Sequence, residues 1–309
     1  MTLRVTFLGT SGAVPTVERN PSALFVNREG DQLLFDVAEG TQRQMMRYGT
    51  GFAVDAVFLT HAHGDHVLGL PGLVQTWNFN GRDAPVTVYA PQAAVEEVRD
   101  LAHALGATPN YPLEVVGVSP GETAFEREDY RVETVPVDHR VAAVGYALVE
   151  DDRKGRFDRD RAEALGVPVG PKFSELHAGN PVELADGTVV DPDQVVGPPR
   201  PGRKVVYTGD TRPCHSVVRA AADADLLVHD GTFTEDAAER ARQTAHSTVR
   251  EAARVAREAD AKRLALTHVS SRYAGDPSPL ERELRDAFAG EAVVASDGQE
   301  LEVPYPDDG

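Results

Sequence analysis

Three histidines and one aspartate crowd into six consecutive positions directly behind an apolar run. The segment FLTHAHGDHVLG, residues 58–69, contains His61, His63, Asp65 and His66. Side chains two positions apart in an extended segment point the same way, so His61 and His63 can hold one ion together. Asp65 and His66 follow a glycine that lets the chain turn, and they would face a second ion nearby. Because unpaired polar groups are costly to bury, a metal site explains this segment better than packing does.

The same order of apolar run, polar residue and turn recurs at three later points. VPVDHR presents His139, VVYTGDT presents Asp210, and LALTHVS presents His268. Each of these alone is an ordinary strand-end residue, but together with the first cluster they supply enough ligands for two ions. The only cysteine is Cys214, which excludes an internal disulfide and a site built from cysteine pairs.

Strand-like and helical patterns alternate in both halves of the chain. Strands are predicted at LRVTFLG, SALFVN, QLLFDV, AVFLT and VTVYA, and later at KVVYTGD, DLLVHDGTF, RLALTHVS and AVVASDG. Helices are predicted over residues 91–106, about 234–261 and about 279–288. Two strand-rich halves that each carry helices predict an α/β body, with two sheets face to face and helices outside.

A segment rich in glycine, proline and charge separates the two halves. Residues 151–203 show little apolar periodicity, which predicts a weakly structured insert. Residues 153–172 carry six bases and three acids, residues 173–197 carry five acids and no base, and residues 200–204 add three bases. Such inserts are usually functional or disordered, and a solvated surface loop is the plainer interpretation.

The chain of 309 residues has 49 acidic side chains against 31 basic ones, of which four are lysines, and its net charge is −18. This balance indicates a surface adapted to a high-salt cytosol, as in a halophilic archaeon. It argues against DNA or any generic nucleic-acid partner. The sequence has neither a long apolar run nor a signal-peptide pattern, so a cytoplasmic protein with no membrane partner is expected.

The HAHGDH segment resembles the HxHxDH signature of the metallo-β-lactamase superfamily, and the later His, Asp and His follow in the order that this superfamily uses. The resemblance implies a four-layer αββα sandwich. It assigns two zinc ions to each subunit. One ion would be bound by His61, His63 and His139, the other by Asp65, His66 and His268, and Asp210 would bridge the two. Two such ions can clamp a phosphate and acidify a water molecule.

Finer motifs resemble the ribonuclease Z family, endonucleases that remove the 3′ trailer from precursor tRNA. They are FLGTSGAVPTVERNPSA, LLFDVAEGTQRQM, YTGDTRP, AHSTVREAA, LTHVSSRY and ASDG. GVPVGPKFSELHAGN resembles the flexible arm that holds the tRNA elbow in this family, with Gly170 and Pro171 shaping its tip. The resemblance implies one domain over residues 1–309 with the arm inserted at 151–203. It also implies a homodimer in which the arm of one subunit holds the tRNA cut by the other.

The same resemblance assigns catalytic roles. Asp65 would be both a ligand and the base that orients or deprotonates the attacking water, and His246 would be the general acid for the leaving 3′ oxygen. Asp36 would fix a ligand histidine. Two motifs depart from the family: PxKxRN reads PTVERN, with Val17 where lysine is common, and HEAT reads HDGT, with Asp230 in place of glutamate. Neither Val17 nor Asp230 is given a role here.

Three hypotheses about function follow. The first is a zinc-dependent tRNA 3′ endonuclease. The alternative is a superfamily phosphodiesterase or arylsulfatase-like esterase of small substrates, which would share the ligands and need no arm. The third is a tRNA-binding module without catalysis, which would be expected to lose ligands. Because the chain is so acidic, RNA recognition would depend on shape and 2′-hydroxyl contacts, helped by the basic margins of the insert. The sequence does not tell which precursors are cut or whether a CCA end affects cleavage. It also leaves open whether zinc or manganese occupies the site in the cell, and at which salt concentration activity is highest.

Overall fold

The computed structural model describes residues 2–104 and 108–306. Within them the strands are β1 Leu3–Gly9, β2 Ser11–Gly12, β3 Ala23–Arg28, β4 Asp31–Phe35, β5 Ala56–Phe58, β6 Val86–Pro91, β7 Leu113–Val118, β8 Thr123–Glu126, β9 Tyr130–Pro136, β10 Val144–Glu150, β11 Val182–Glu183, β12 Val189–Val190, β13 Lys204–Tyr207, β14 Leu226–Asp230, β15 Arg263–Thr267, β16 Val269–Ser270, β17 Glu291–Val294 and β18 Glu300–Glu302. The helices are α1 Thr41–Tyr48, α2 Gly64–Val67, α3 Leu70–Phe79, α4 Val95–Ala102, α5 Arg159–Ala164, α6 Pro171–His177, α7 His215–Ala220, α8 Ala238–Thr244, α9 Val249–Glu258 and α10 Ser278–Ala287. Short 3₁₀ helices cover Gln92–Ala94, Pro192–Gln194, Glu235–Ala237 and Ser271–Tyr273.

Contacts between residues divide the chain into two compact units. Among the described residues, the larger unit comprises 2–149 and 203–304, and the smaller comprises 150–202 and 305–306. None of the helices in the described part of the chain is long and apolar enough to cross a membrane.

The larger unit contains two mixed sheets of seven strands. One has the order β18-β1-β3-β4-β5-β6-β7 and the other β17-β15-β14-β13-β10-β9-β8. Apolar side chains of both sheets, including Phe35, Phe58, Tyr146 and Tyr207, form a core between them. Two further cores lie under helices, one against α1, α3 and α4 and the other against α7, α9 and α10. The predicted αββα sandwich is confirmed.

Parallel pairing brings several strand ends to one edge of the sandwich. Strands β4, β5 and β6 run parallel in the first sheet, and β13, β14 and β15 run parallel in the second. The chain leaves β5 shortly before His61, leaves β13 shortly before Asp210, and leaves β15 directly before His268. The carboxyl ends of parallel strands are where α/β proteins place their ligands, so the topology positions these residues together.

The predicted strands are present, with shifted ends. RLALTHVS forms two strands, β15 and β16, with His268 between them. The sequence pattern missed strands β7, β8 and β10. In β7 and β8 the polar and apolar residues do not alternate regularly, and β10 is buried along nearly its whole length, so it also lacks alternation. The helix predicted at 279–288 is α10. The helix predicted over 91–106 is a 3₁₀ turn followed by α4, and its residues 105 and 106 lie outside the described residues.

The helix predicted over 234–261 is wrong as a single element. Helix α8 ends at Thr244, and the next residue, Ala245, has a φ of 58° in the left-handed region. Helix α9 then starts afresh with a capping box, in which the Thr248 hydroxyl accepts from the Glu251 N–H and the Glu251 carboxylate accepts from the Thr248 N–H. Apolar periodicity continues across the break, which is why the sequence pattern hides it. The break takes His246 out of a helix.

The expectation that residues 151–203 are weakly structured is wrong, because the smaller unit is folded. It contains α5, α6, the β11–β12 hairpin and a core of its own, formed by Ala162, Val167, Leu176, Val182, Val190 and Val195. These apolar residues have neither a helical nor a strand period, so the sequence pattern could not reveal them. At its base, Arg153 and Arg200 exchange two backbone hydrogen bonds.

Gly170 begins α6 with φ 145° and ψ −146°, a conformation that is essentially restricted to glycine. No atom lies within 4 Å of where its Cβ would be, so the backbone angle rather than space requires glycine here. Pro171 follows at the first helical position, where its missing N–H costs nothing. The GP pair thus defines the start of this helix.

Candidate metal centre

The first group of ligand atoms comes from the loops after β5, β9 and β13. His61 Nε2 lies 2.9 Å from His63 Nδ1, and His139 Nε2 lies 3.3 Å from the same His63 atom. Asp210 Oδ2 lies 3.7 Å from His61 Nε2 and 4.0 Å from His139 Nε2. The four side chains can each offer one atom to a common ion.

The second group lies on the other oxygen of Asp210. Its Oδ1 is 3.4 Å from His66 Nε2 and 3.2 Å from His268 Nε2. Asp65 Oδ2 is 3.2 Å from His268 Nε2 and 3.6 Å from His66 Nε2. Asp65, His66 and His268 form a group of metal-binding geometry. Asp210 therefore faces one group with each of its carboxylate oxygens.

Two buried atoms of the centre have no hydrogen-bond partner among the described residues: His66 Nε2 and Asp210 Oδ1. Buried polar atoms are nearly always satisfied in folded proteins, so this pair requires a partner that the side chains do not supply. Imidazole and carboxylate are ligands that zinc accepts. The residues present therefore fit a metal ion.

A third group of ligand type, Asp210, Asp230, His246 and His268, overlaps the second. Both oxygens of Asp230 already accept hydrogen bonds from protein groups. Oδ1 accepts from the Thr232 N–H and hydroxyl, and Oδ2 accepts from the Thr211 N–H. This carboxylate is thus committed to the protein rather than to an ion.

The two groups differ in charge. Burial lowers the pKa of His61, His63 and His139, which keeps these imidazoles neutral, the form that ligates metal. Burial also acts to lower the pKa of His66 and His268, but attraction to Asp210 outweighs it. The pKa of His268 rises to about 9 and that of His66 rises well above its ordinary value. The second group thus attracts positive charge.

Asp36 fixes His66, as the sequence interpretation expected of it. The buried Asp36 carboxylate accepts a hydrogen bond from His66 Nδ1 at 2.8 Å. It also accepts from the Thr60 N–H and hydroxyl and from the Tyr207 hydroxyl. A proton held on Nδ1 leaves the Nε2 lone pair free for a ligand.

His246 lies against the second group, next to Asp230. Its Nδ1 is 2.9 Å from Asp230 Oδ2 and 3.8 Å from Asp210 Oδ2. Because an ionised carboxylate only accepts, Nδ1 donates to Asp230 and the other ring nitrogen is left for a substrate atom. His229 Nδ1 is 2.8 Å from the Asp230 carbonyl oxygen. Asp230, which had no role from sequence, therefore orients His246.

Arg212 ties together three of the loops that carry these side chains. It lies two residues after Asp210, and its N–H donates to the Asp138 carbonyl, directly before His139, at 2.8 Å. Its guanidinium donates to the His246 carbonyl and forms a two-pronged pair with the Glu251 carboxylate. Bidentate arginine–carboxylate pairs are geometrically exacting, so Arg212 fixes the loop around His246. The sequence interpretation missed Arg212 and Glu251.

The loop after β2 reaches Asp65. The Ala13 N–H donates to Asp65 Oδ2 at 2.7 Å, and Ala13 has φ 65°. The buried Arg19 anchors this loop by donating to the Thr10 hydroxyl and to a backbone carbonyl. Val17 at the loop's tip is 96% exposed, so the position where the family commonly has lysine faces solvent.

Unusual backbone angles cluster at the centre. Seven of the described residues other than glycine have positive φ, and four of them, Ala13, Asp36, Ala245 and His268, lie at this site; the other three are Glu29, Asp223 and Asp260. Such conformations are strained for L-residues and persist where the surrounding structure holds them. All seven predicted ligands and His246 come together here, although they span residues 61 to 268.

The chain matches the family model described as the metallo-beta-lactamase superfamily over residues 16–268. The ribonuclease Z of Natronomonas pharaonis is 62% identical over 308 residues, which cover 100% of both chains. That of Haloferax volcanii is 62% identical, covering 99% of this chain and 97% of its own. The ribonuclease Z of Myxococcus xanthus is 53% identical, covering 99% of each.

Solved structures give the same fold. Human tRNase Z, short form, superposes with a TM-score of 0.68 at 25% identity, covering 97% of this chain and 99% of its own. The metallo-beta-lactamase fold protein YhfI from Bacillus subtilis has a TM-score of 0.70 at 20% identity, covering 98% of this chain and 100% of its own. At that identity, the second likeness concerns the fold alone.

Proposed function

Because the chain belongs to the ribonuclease Z family within the metallo-β-lactamase superfamily, we propose that it is an endoribonuclease that removes the 3′ trailer from precursor tRNA. It leaves a 3′-hydroxyl on the tRNA. The observation that carries the proposal is the position of Asp210 between two groups of histidines, with one carboxylate oxygen facing each group. Asp230 holds His246 next to it.

The centre would hold two zinc ions. His61, His63 and His139 would bind one ion, Asp65, His66 and His268 would bind the other, and Asp210 would be the shared ligand. When bound, the ions supply Lewis acidity for the scissile phosphate and lower the pKa of water towards neutrality. The unpartnered His66 Nε2 and Asp210 Oδ1 support this assignment.

Asp65 orients or deprotonates the attacking water. One of its oxygens, Oδ2, accepts from the Ala13 N–H and lies near His268 Nε2. The other oxygen accepts no hydrogen bond within the part of the chain that the structure describes, so it is available to a water molecule. Attraction to His268 and His66 outweighs burial and holds the pKa of Asp65 well below its ordinary value, which keeps the carboxylate ionised.

His246 donates a proton to the leaving 3′ oxygen. Asp230 holds Nδ1, which presents the other ring nitrogen to the substrate. Arg212 and Glu251 fix the backbone that carries His246. In an in-line displacement this proton donor stands opposite the attacking water, which matches the roles of His246 and Asp65.

The inserted arm, residues 151–203, holds part of the precursor tRNA. Arm and body together form one functional domain, and the protein acts in the cytoplasm. The arm's basic residues are concentrated at its two margins. The Gly170–Pro171 start of α6 gives it a defined local conformation. The arm carries none of the seven proposed ligands, so it contributes RNA affinity to tRNA cleavage rather than chemistry.

Removing the arm separates the proposed function from its alternative. Replacing residues 155–198 by a short glycine-serine linker keeps the backbone pairing of Arg153 with Arg200. We expect kcat/KM for precursor tRNA to fall about 100-fold or more, while hydrolysis of bis(p-nitrophenyl) phosphate persists. Single-turnover assays with both substrates measure this. If both activities persist equally, the chain is a small-substrate phosphodiesterase; if the intact protein binds tRNA but cleaves neither substrate, it is a binding module.

A homodimer is the assembly that this arm implies, with the arm of one subunit holding the tRNA cut by the other. An exposed apolar patch on α1 and α3 supports it. Phe79 is 92% exposed and Met46 is 69% exposed, and both line a cavity of about 500 Å³ together with Phe52. Large aromatic side chains in such exposure are typical of interfaces.

Replacing Phe79 by aspartate is expected to weaken dimerisation about 30-fold or more, because a charge would have to be buried where an aromatic anchor packs. Light scattering coupled to gel filtration measures the mass. We expect the variant to elute as a monomer with reduced precursor cleavage and unchanged bis(p-nitrophenyl) phosphate hydrolysis. A wild-type protein that is monomeric and fully active would contradict the proposed assembly.

A further inference from the structure

A cavity of about 370 Å³ opens beside His246 and His268, and its lining contains three arginines and no acidic residue among the described side chains. Arg140 follows His139 in the loop after β9, Arg240 lies on α8, and Arg272 lies in the 3₁₀ helix after β16. Three guanidinium groups from separate elements thus converge on one cavity. In a chain with net charge −18, this concentration of positive charge is unexpected.

The three guanidinium groups have no ion pair or hydrogen bond with the described residues, which sets them apart from other arginines of this chain. Arg242, two residues beyond Arg240 on α8, pairs with Glu239 at 3.0 Å. Another cavity, on α9, has three arginines but also three acids, Glu235, Glu251 and Asp286. Unbalanced arginines facing a cavity indicate an anionic ligand.

The remaining lining suits a nucleotide. Ser270 and Ser271 contribute hydroxyl groups and Phe233 contributes an aromatic ring. The hydroxyls of Thr232 and Thr244 already donate to the Asp230 carboxylate and to the Arg240 carbonyl. Hydroxyls can bond to ribose and base, and an aromatic ring can contact a base. Arginine forks bind phosphate oxygens in two-pronged geometry. The cavity therefore offers complementary groups for the parts of one RNA nucleotide and its phosphate.

The position of His246 decides which side of the cleaved bond the cavity serves. A proton donor for the leaving 3′ oxygen must stand on the side of the nucleotide that bears that oxygen. His246 lines the cavity, whereas His61, His63 and Asp210 do not. The nucleotide beside His246 is therefore the last one retained by the tRNA.

We propose that this cavity binds the 3′-terminal nucleotide of the tRNA body, and that Arg140, Arg240 and Arg272 bind the phosphate on its 5′ side. The proposal rests on the proposed function and names a substrate site for it. It explains how an acidic protein holds RNA, because attraction is confined to the cavity beside the reacting bond. All three arginines are exposed and line the cavity, so salt screens their charge, and two-pronged hydrogen bonds to the phosphate supply the contact.

The test combines an arginine variant with a neutral phosphate in the substrate. Arg240→Ala lies outside the ligand loops, and Arg242→Ala on the same helix is the matched control. Each variant is assayed on three precursor tRNAs. The first has an uncharged methylphosphonate in place of the phosphate 5′ of the last tRNA nucleotide, the second has it at the first trailer linkage beyond the cut, and the third is unmodified. We expect Arg240→Ala to lower kcat/KM about 10-fold on ordinary precursor, and by less than about 2-fold once the 5′ phosphate is neutral.

Other outcomes overturn the proposal. An Arg240→Ala effect that vanishes only with the neutral trailer linkage would put the cavity on the trailer side. An effect that neutralisation leaves unchanged, or one equal to that of Arg242→Ala, would remove the phosphate contact. Binding of mature tRNA, measured by fluorescence anisotropy, is a readout that needs no cleavage. If the wild-type protein cuts no precursor, the proposed function fails, while weaker tRNA binding by Arg240→Ala alone would still support the cavity as an RNA site.

Discussion

Replacing His246 by alanine is expected to lower kcat for precursor tRNA about 10²- to 10⁴-fold, the usual contribution of a general acid, with little change in KM. The leaving 3′ oxygen of ribose is a poor leaving group and needs a proton as the bond breaks. The p-nitrophenolate of bis(p-nitrophenyl) phosphate leaves without one. Hydrolysis of this small diester by His246→Ala should therefore remain near the wild-type rate, and steady-state assays with both substrates measure the contrast.

His215→Ala is the control, since His215 is exposed on α7 and lies outside the cluster. Asp230→Asn should show the same contrast as His246→Ala, with slower cleavage of precursor tRNA and nearly unchanged hydrolysis of the small diester, because it removes the carboxylate that holds His246 Nδ1. Equal losses on both substrates would show that His246 serves folding or metal binding instead of proton donation. A fully active His246→Ala protein would remove it from the mechanism.

Replacing Asp210 by asparagine is expected to abolish stable binding of the metal pair and to lower kcat/KM for precursor tRNA at least about 10³-fold. The amide cannot give an anionic oxygen to each of the two histidine groups, which Oδ1 and Oδ2 of Asp210 face at 3.2 to 4.0 Å. The substitution also removes the negative charge of Asp210, which raises the pKa of His66 and of His268. Mass spectrometry of metal content after dialysis measures the stoichiometry.

Asp225→Asn gives a matched control, because Asp225 is also buried and pairs with Lys262 away from the centre. It should keep two ions per chain even if the free energy of unfolding falls. Retention of both ions by Asp210→Asn would contradict its role as the shared ligand. Loss of only one ion would assign Asp210 to a single group.

The candidate ligands could be predicted because each lies where an apolar strand ends. HAHGDH, Asp210 and His268 follow β5, β13 and β15, and parallel strands end at one edge. Sequence therefore indicated the fold and the side chains that come together at this edge. It could not indicate that Asp230 orients His246, since an aspartate at a strand end reads equally well as a turn residue.

Other features depend on contacts between distant residues. The helical pattern continues through Ala245, so the break that frees His246 is visible only in the backbone angle. The fork between Arg212 and Glu251 joins residues 39 apart in the chain, with no periodic signal. Likewise Arg140, Arg240 and Arg272 share a cavity only because a loop, helix α8 and a 3₁₀ helix fold together. Net charge gave the opposite expectation about nucleic acid, since it averages over the whole surface.

Cleavage of an end-labelled precursor tRNA with a 3′ extension is the most direct test of the account. The purified protein is incubated at low and at molar potassium chloride, with and without chelator, and after return of zinc or manganese. We predict one cut that leaves a 3′-hydroxyl on the tRNA, loss of cleavage with chelator, and recovery with metal. Unchanged cleavage by a preparation shown to be metal-free, or no cleavage by a protein carrying two ions per chain, would contradict the account.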